Sequence, residues 1–104
     1  MQSRQFRLEQ RLKILCNKRA SKLGLGLTPS CNNLIHRMIS HGVQRMESQG
    51  VVEKEEQIMH AERNLSHYLD KLSDKAQSIG TYPMVGAKVF DDVFREQCPI
   101  WPYC

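Results

Sequence analysis

The corner Leu23-Gly24-Leu25-Gly26-Leu27, followed at once by Thr28-Pro29-Ser30, constrains this chain more than any other stretch. Glycine tolerates the left-handed conformation that commonly closes a helix, so a helix is expected to end here. Thr28 is a suitable N-cap. Pro29 fits a first helical position, where its missing N–H has no intrahelical bond to lose. A new helix is therefore expected from Pro29 to about Ser48. Along it Cys31, Leu34, Ile35, Met38, Ile39, Val43 and Met46 form an apolar stripe at helical spacing. Gly42 lies inside that helix, where it lowers propensity by up to ~1 kcal/mol relative to alanine. Its missing side chain leaves room for the close approach of another helix. Gly50 ends the element.

Before the corner, residues 3–23 have two readings. As one helix, Leu8, Leu12, Leu15 and Leu23 recur at helical spacing, Ile14, Cys16 and Ala20 widen the stripe, and Ser3 is the N-cap. As a strand followed by a helix, Arg4 to Leu8 alternate, with Phe6 and Leu8 on one face and Gln5 and Arg7 on the other. Nothing between Leu8 and Leu12 is a good cap, which favours the continuous helix and leaves the strand as the alternative.

After the corner, a third helix is expected over about Val52 to Ser78. Acidic residues lie in its first turns, and Lys71 and Lys75 lie near its end, matching the helix dipole. Ile58, Ala61, Leu65, Tyr68, Leu72, Ala76 and Ile79 follow in steps of three or four. That stripe fits either packing inside one chain or a seam between two copies, with Ile58, Leu65 and Leu72 as the dimerisation residues. A short helix is expected from about Val85 to Gln97, with Val89, Phe90, Val93 and Phe94 on its apolar face. The aromatic end, Ile100-Trp101-Pro102-Tyr103-Cys104, is expected to dock onto the helices, with a partner-binding tail as the alternative. The fold class is thus mainly α, with about four helices and, in the alternative, one short N-terminal strand forming an intermolecular ribbon.

The 104 residues suit one domain with a helical extension, and their 40% hydrophobic content excludes a disordered chain. Residues 1–50 carry nine Lys and Arg against two acids, and residues 51–104 carry six against nine, within a net charge of +4. The chain therefore divides into a basic unit, 1–50, and an acidic helical extension, 51–104. A basic half points to a phosphate-bearing or acidic-protein partner, or to the acidic half of a second copy. No apolar run approaches the ~20 residues that span a bilayer, so no membrane partner is expected. The charged start lacks the apolar run of a signal peptide, and the expected location is cytoplasmic. In that compartment Cys16 and Cys31 are expected to be reduced packing residues. Cys98 and Cys104 flank Pro99 to Tyr103 and leave a local disulfide open.

Catalytic signatures are missing. There is no G-x-S-x-G elbow, and Gly24-Leu25-Gly26 lacks the lysine and strand context of a phosphate loop. Asp91-Asp92 and Glu55-Glu56 are adjacent pairs, which point in different directions on a helix. His36, His41, His60 and His67 do not stand at zinc-finger spacings with the cysteines. Neither enzymatic activity nor a metal or other cofactor is expected.

One stretch resembles a known family. Gln5-Phe6-Arg7-Leu8, a helix through Leu12, Leu15 and Ala20, then Leu23-Gly24, Leu27-Thr28-Pro29-Ser30 and Leu34-Ile35-His36-Arg37 with Ile39 resemble the ribbon-helix-helix family of Arc-type repressors. The resemblance covers residues 4–47. It implies a dimer whose paired strands enter the major groove of duplex DNA, with Gln5 and Arg7 reading base edges. It also implies a phosphate anchor at Thr28 and Ser30, and Arg4 and Lys18 complete the expected DNA-binding set. A helix-turn-helix over Lys18 to Met38, with a wing entry near Gly42 to Val52, is a second DNA-binding reading. The expectation is a small dimeric DNA-binding regulator or accessory protein whose acidic half sets oligomeric state or recruits a protein. The alternative is a helical protein–protein interaction module (adaptor, inhibitor or complex subunit) that does not bind nucleic acid.

Overall fold

The computed structural model describes residues 3–78, 84–85 and 98–103. Helix α1 spans Arg4–Lys22, α2 spans Pro29–Ser48 and α3 spans Glu55–Ser78. Two short strands, β1 (Gly26–Leu27) and β2 (Met84–Val85), pair in parallel, with Gly26 opposite Met84 and Leu27 opposite Val85. The expected fourth helix over Val85–Gln97 lies almost wholly outside the described residues, and Val85 itself belongs to β2.

The boundaries of α1 and α2 follow from local chemistry. Ser3 Oγ accepts the backbone N–H of Phe6 at 3.1 Å, which starts α1. The helix closes in a Schellman motif: Leu25 N–H donates to Ala20 O and Gly24 N–H to Ser21 O, with Gly24 at φ 66°. Thr28 Oγ1 accepts from Cys31 N–H at 3.4 Å and caps α2, with Pro29 at its first position. A second Schellman motif closes α2: Val51 N–H donates to Met46 O and Gly50 N–H to Glu47 O, with Gly50 at φ 70°. α3 begins at Glu55 rather than near Val52, because Val51 and Val52 pack against the core and the chain turns through Lys54 N–H to Val51 O before the helix starts.

Residues 4–8 are thus helical, and no ribbon strand exists there among the described residues. In a helix, side chains two apart point in nearly opposite directions, so Gln5 and Arg7 do not share a face as they would on a strand.

α1 packs against both α2 and α3. The ion pairs Arg4–Glu53, Arg11–Glu62 and Arg19–Asp70 climb both segments in the same order, so α1 and α3 run parallel; α2 runs antiparallel to α1, with His36 beside Asn17 and Glu47 near Arg4. The core is filled by Leu8, Leu12 and Cys16 of α1, Ile35, Ile39, Val43 and Met46 of α2, and Leu65, Leu69 and Leu72 of α3. The acidic half therefore shares one core with the basic half. Ile58, Leu65 and Leu72 are 6%, 0% and 0% exposed in the single chain. Of the two arrangements expected for this stripe, the structure has packing inside one chain: these three side chains are buried in the shared core.

Residues 98–103 lie over α2 and α3. Pro99 and Ile100 are fully buried, and Tyr103 is nearly so. Tyr103 Oη donates to Gln57 Oε1 at 2.6 Å, and Asn64 Nδ2 donates to the carbonyl of Trp101. Gly42 of α2 faces this segment: a Cβ built on it would stand 2.2 Å from Ile100 Cδ1. The close approach expected at Gly42 is made by this segment and not by a helix. Cys98 is disulfide-bonded, Cys16 and Cys31 are buried thiols outside any disulfide, and Cys104 lies outside the described residues.

Candidate interaction surface

The expected DNA-binding residues do not form one site. Arg4 pairs with Glu53, and Gln5 is half-buried on another face of α1 from Arg7. Thr28 is occupied as the α2 cap, and Ser30 is exposed in the first turn of α2. Arg7 and Lys18 remain exposed on α1 and are brought together on one stripe with Gln10 and Ile14, in steps of three or four residues.

α3 turns a second stripe to the same side. Its buried positions include Ile58, Ala61, Leu65 and Leu69, which places Met59 and Arg63 outside. Between the two stripes runs an open groove made of two depressions. One is walled by Arg7, Ile14 and Lys18, the other by Met59, Arg63 and His67, and they share Leu15 and Glu62. Ile14 is 52% exposed and Met59 is 53% exposed. Ile14 thus stands outside the α1 stripe it was expected to widen, because it lies two residues past Leu12 and faces away from the core.

The carboxylates in the groove are already engaged. Arg11 donates to Glu62 at 3.0 and 3.3 Å and to Glu55 at 3.1 Å. Its bonds to Glu55, then those to Glu62, raise its already high pKa against the opposing effect of burial. Arg19 donates to both oxygens of Asp70, at 2.7 to 3.0 Å. Arg7, Lys18 and Arg63 form no salt bridge among the described residues. Among the described residues the unengaged charge of the groove is therefore positive, and it surrounds exposed apolar groups.

On the α1–α2 side, His36 Nε2 meets Asn17 Oδ1 at 3.2 Å. Burial, and secondly the charge of Lys13, hold the His36 pKa below its ordinary value. The Cys16 thiol is pushed up to about 12 by burial first and by Cys31 second, so it stays protonated and unreactive. Among the described residues no three His, Cys, Asp or Glu side chains are grouped to hold a metal, and no helix is long and apolar enough to cross a membrane.

Composition showed the charge asymmetry but missed the groove. Met59, Arg63 and the outward role of Ile14 were the residues overlooked. The available signal was the spacing of Ile14, which matches Arg7 and Lys18 better than it matches Leu8 and Leu12. Compared with protein-family models, with curated proteins and with solved structures, the chain matches none.

Proposed function

We propose that this chain is a helical protein-binding module, an adaptor, inhibitor or complex subunit without catalysis of its own, whose interface is the α1–α3 groove. The observation that carries this reading is the exposure of Ile14 and Met59 among unengaged cations. Apolar side chains rimmed by charge gain free energy when another protein covers them, at roughly 25 cal/mol per Å² of apolar area removed from water. A phosphate backbone offers them nothing comparable.

The rival reading, a DNA-binding regulator, has less support. Three arginines of the basic half, Arg4, Arg11 and Arg19, are held by carboxylates of the acidic half. Each would have to leave its partner to meet a phosphate. Joint base reading by Gln5 and Arg7 from one face of a ribbon needs the extended backbone that α1 does not have.

A photo-crosslinking amino acid placed at position 14, with position 33 on the exposed face of α2 as control, tests the proposal in the cells that make the protein. Adducts formed at 14 and not at 33, sensitive to protease and resistant to nuclease, support it. Nuclease-sensitive adducts sink it. So does duplex DNA binding that weakens steeply with salt and is lost on Arg7→Glu/Lys18→Glu, since counterion release identifies real phosphate contacts.

A further inference from the structure

We infer that the α1–α3 groove takes an acidic amphipathic helix of about three turns from a partner protein. This rests on the protein-binding reading above and adds the chemistry of the partner. The length comes from the groove itself. Arg7 and Lys18 bracket it along α1, and eleven residues at ~1.5 Å each span ~16 Å, about three turns. Two parallel helices present a furrow between them into which the ridges of a third helix pack.

The secondary structure of the occupant follows from its walls. Both are helices whose backbone groups are bonded internally, so no sheet edge offers hydrogen bonds to an extended peptide. A helix brings its own backbone bonds and needs only side-chain contacts. Its apolar seam meets Ile14, Leu15 and Met59 at the centre.

The charge of the occupant follows from what is already neutralised. Glu62 and Asp70 face Arg11 and Arg19 and offer little to a cationic partner. Arg7, Lys18 and Arg63 stand around the apolar centre, so carboxylates flanking the seam of the incoming helix meet cations on both sides. A second copy of the chain suits the groove less well. The chain is net +4, and the most acidic of its described helices, α3, buries its apolar stripe in its own core. Nucleic acid would leave the apolar centre uncovered.

The test pans a display library of helical peptides, with random residues at every surface position, against the full-length chain. The expected winners carry an apolar seam at positions three and four apart, flanked by Asp or Glu. Their affinity falls at least tenfold on Ile14→Asp and at least tenfold on Arg7→Glu/Lys18→Glu, and it weakens with added salt. Circular dichroism of both variants checks that they keep the helical fold; these are exposed positions, and Ile14→Ser replaces Ile14→Asp if that variant does not fold. Enrichment of basic or extended peptides, winners unaffected by the folded variants, or no enrichment at all each overturns the inference. Competition by duplex DNA that is stronger than by unlabelled peptide overturns it as well. If the library fails while position 14 still crosslinks to protein, the partner is not an acidic helix and the protein-binding reading survives. If both fail, that reading falls too.

Discussion

Gly42 in the middle of α2 and Ile100 in the C-terminal segment occupy one volume: a methyl group on Gly42 would lie 2.2 Å from Cδ1 and 2.7 Å from Cγ1 of Ile100. Ile100 is fully buried, so its side chain cannot relieve that contact by turning out into solvent without leaving the core. The absent side chain in the helix is therefore the seat of the clasp, and this fixes a first prediction. Gly42→Ala gains up to ~1 kcal/mol of helix propensity but meets an overpacking cost of about 1–3 kcal/mol, for a net loss. Ile100→Ala loses about 2–5 kcal/mol through the cavity it leaves. In the double variant the clash is gone, so Gly42→Ala should become neutral or stabilising in the Ile100→Ala background. Urea unfolding of the four proteins gives the cycle, and simple additivity would show that the two residues do not meet.

The heptad-like stripe of α3 is consumed within one chain, so its disruption should unfold the molecule instead of splitting a dimer. Leu65→Asp puts a charge at a fully buried position and should cost roughly 4 kcal/mol or more. Circular dichroism should show loss of helix at every protein concentration. The parent protein should melt at a temperature independent of concentration; a folded monomeric Leu65→Asp would restore the intermolecular seam.

The Arg19–Asp70 pair is bidentate and about one-third exposed on each side. A double-mutant cycle with Arg19→Ala and Asp70→Ala should give a coupling of about 0.5–1 kcal/mol, the upper end for pairs in contact with solvent, shrinking in high salt. A coupling indistinguishable from zero at low salt would mean the two side chains are not held together in solution.

His36 makes stability depend on pH with a definite sign. Its folded pKa lies below the ordinary 6.5, mainly through burial and then through Lys13. The unfolded chain therefore takes up this proton first as pH falls. Its contribution is fully present above the unfolded value and is lost as pH drops through 6.5 toward the folded value. His36→Gln should flatten this part of the stability profile between mildly acidic and neutral pH. An unchanged profile would assign the slope to other groups.

Cys16, raised to about 12 and fully buried, should resist iodoacetamide at pH 8 in the native protein and react once denaturant is added. Mass spectrometry after timed quenching reads this directly, and rapid native alkylation would show that the α1–α2 packing opens readily.

Local chemistry alone determined the helix boundaries around the corner. Gly24, Thr28, Pro29 and Gly50 act through their own backbone conformation and capping bonds, so their effects are legible without knowing what packs against them. The α2 stripe and the apolar stripe of α3 were legible for the same reason, since helical period depends only on sequence order. What faces those stripes depends on long-range closure. That α3 returns parallel to α1, that Arg4, Arg11 and Arg19 are held by acids roughly fifty residues away, and that Ile58, Leu65 and Leu72 bury in one chain were decided by tertiary packing. The strand-or-helix ambiguity at residues 4–8 was settled in the same way. Alternation and helical spacing both fit so short a run, and the core buries Leu8 with Leu12 and Cys16 while leaving Phe6 exposed, which is the helical and not the strand pattern. The groove with Ile14 and Met59 belongs to this second class, because its two walls come from segments separated along the chain and face one another only when α1 and α3 lie side by side.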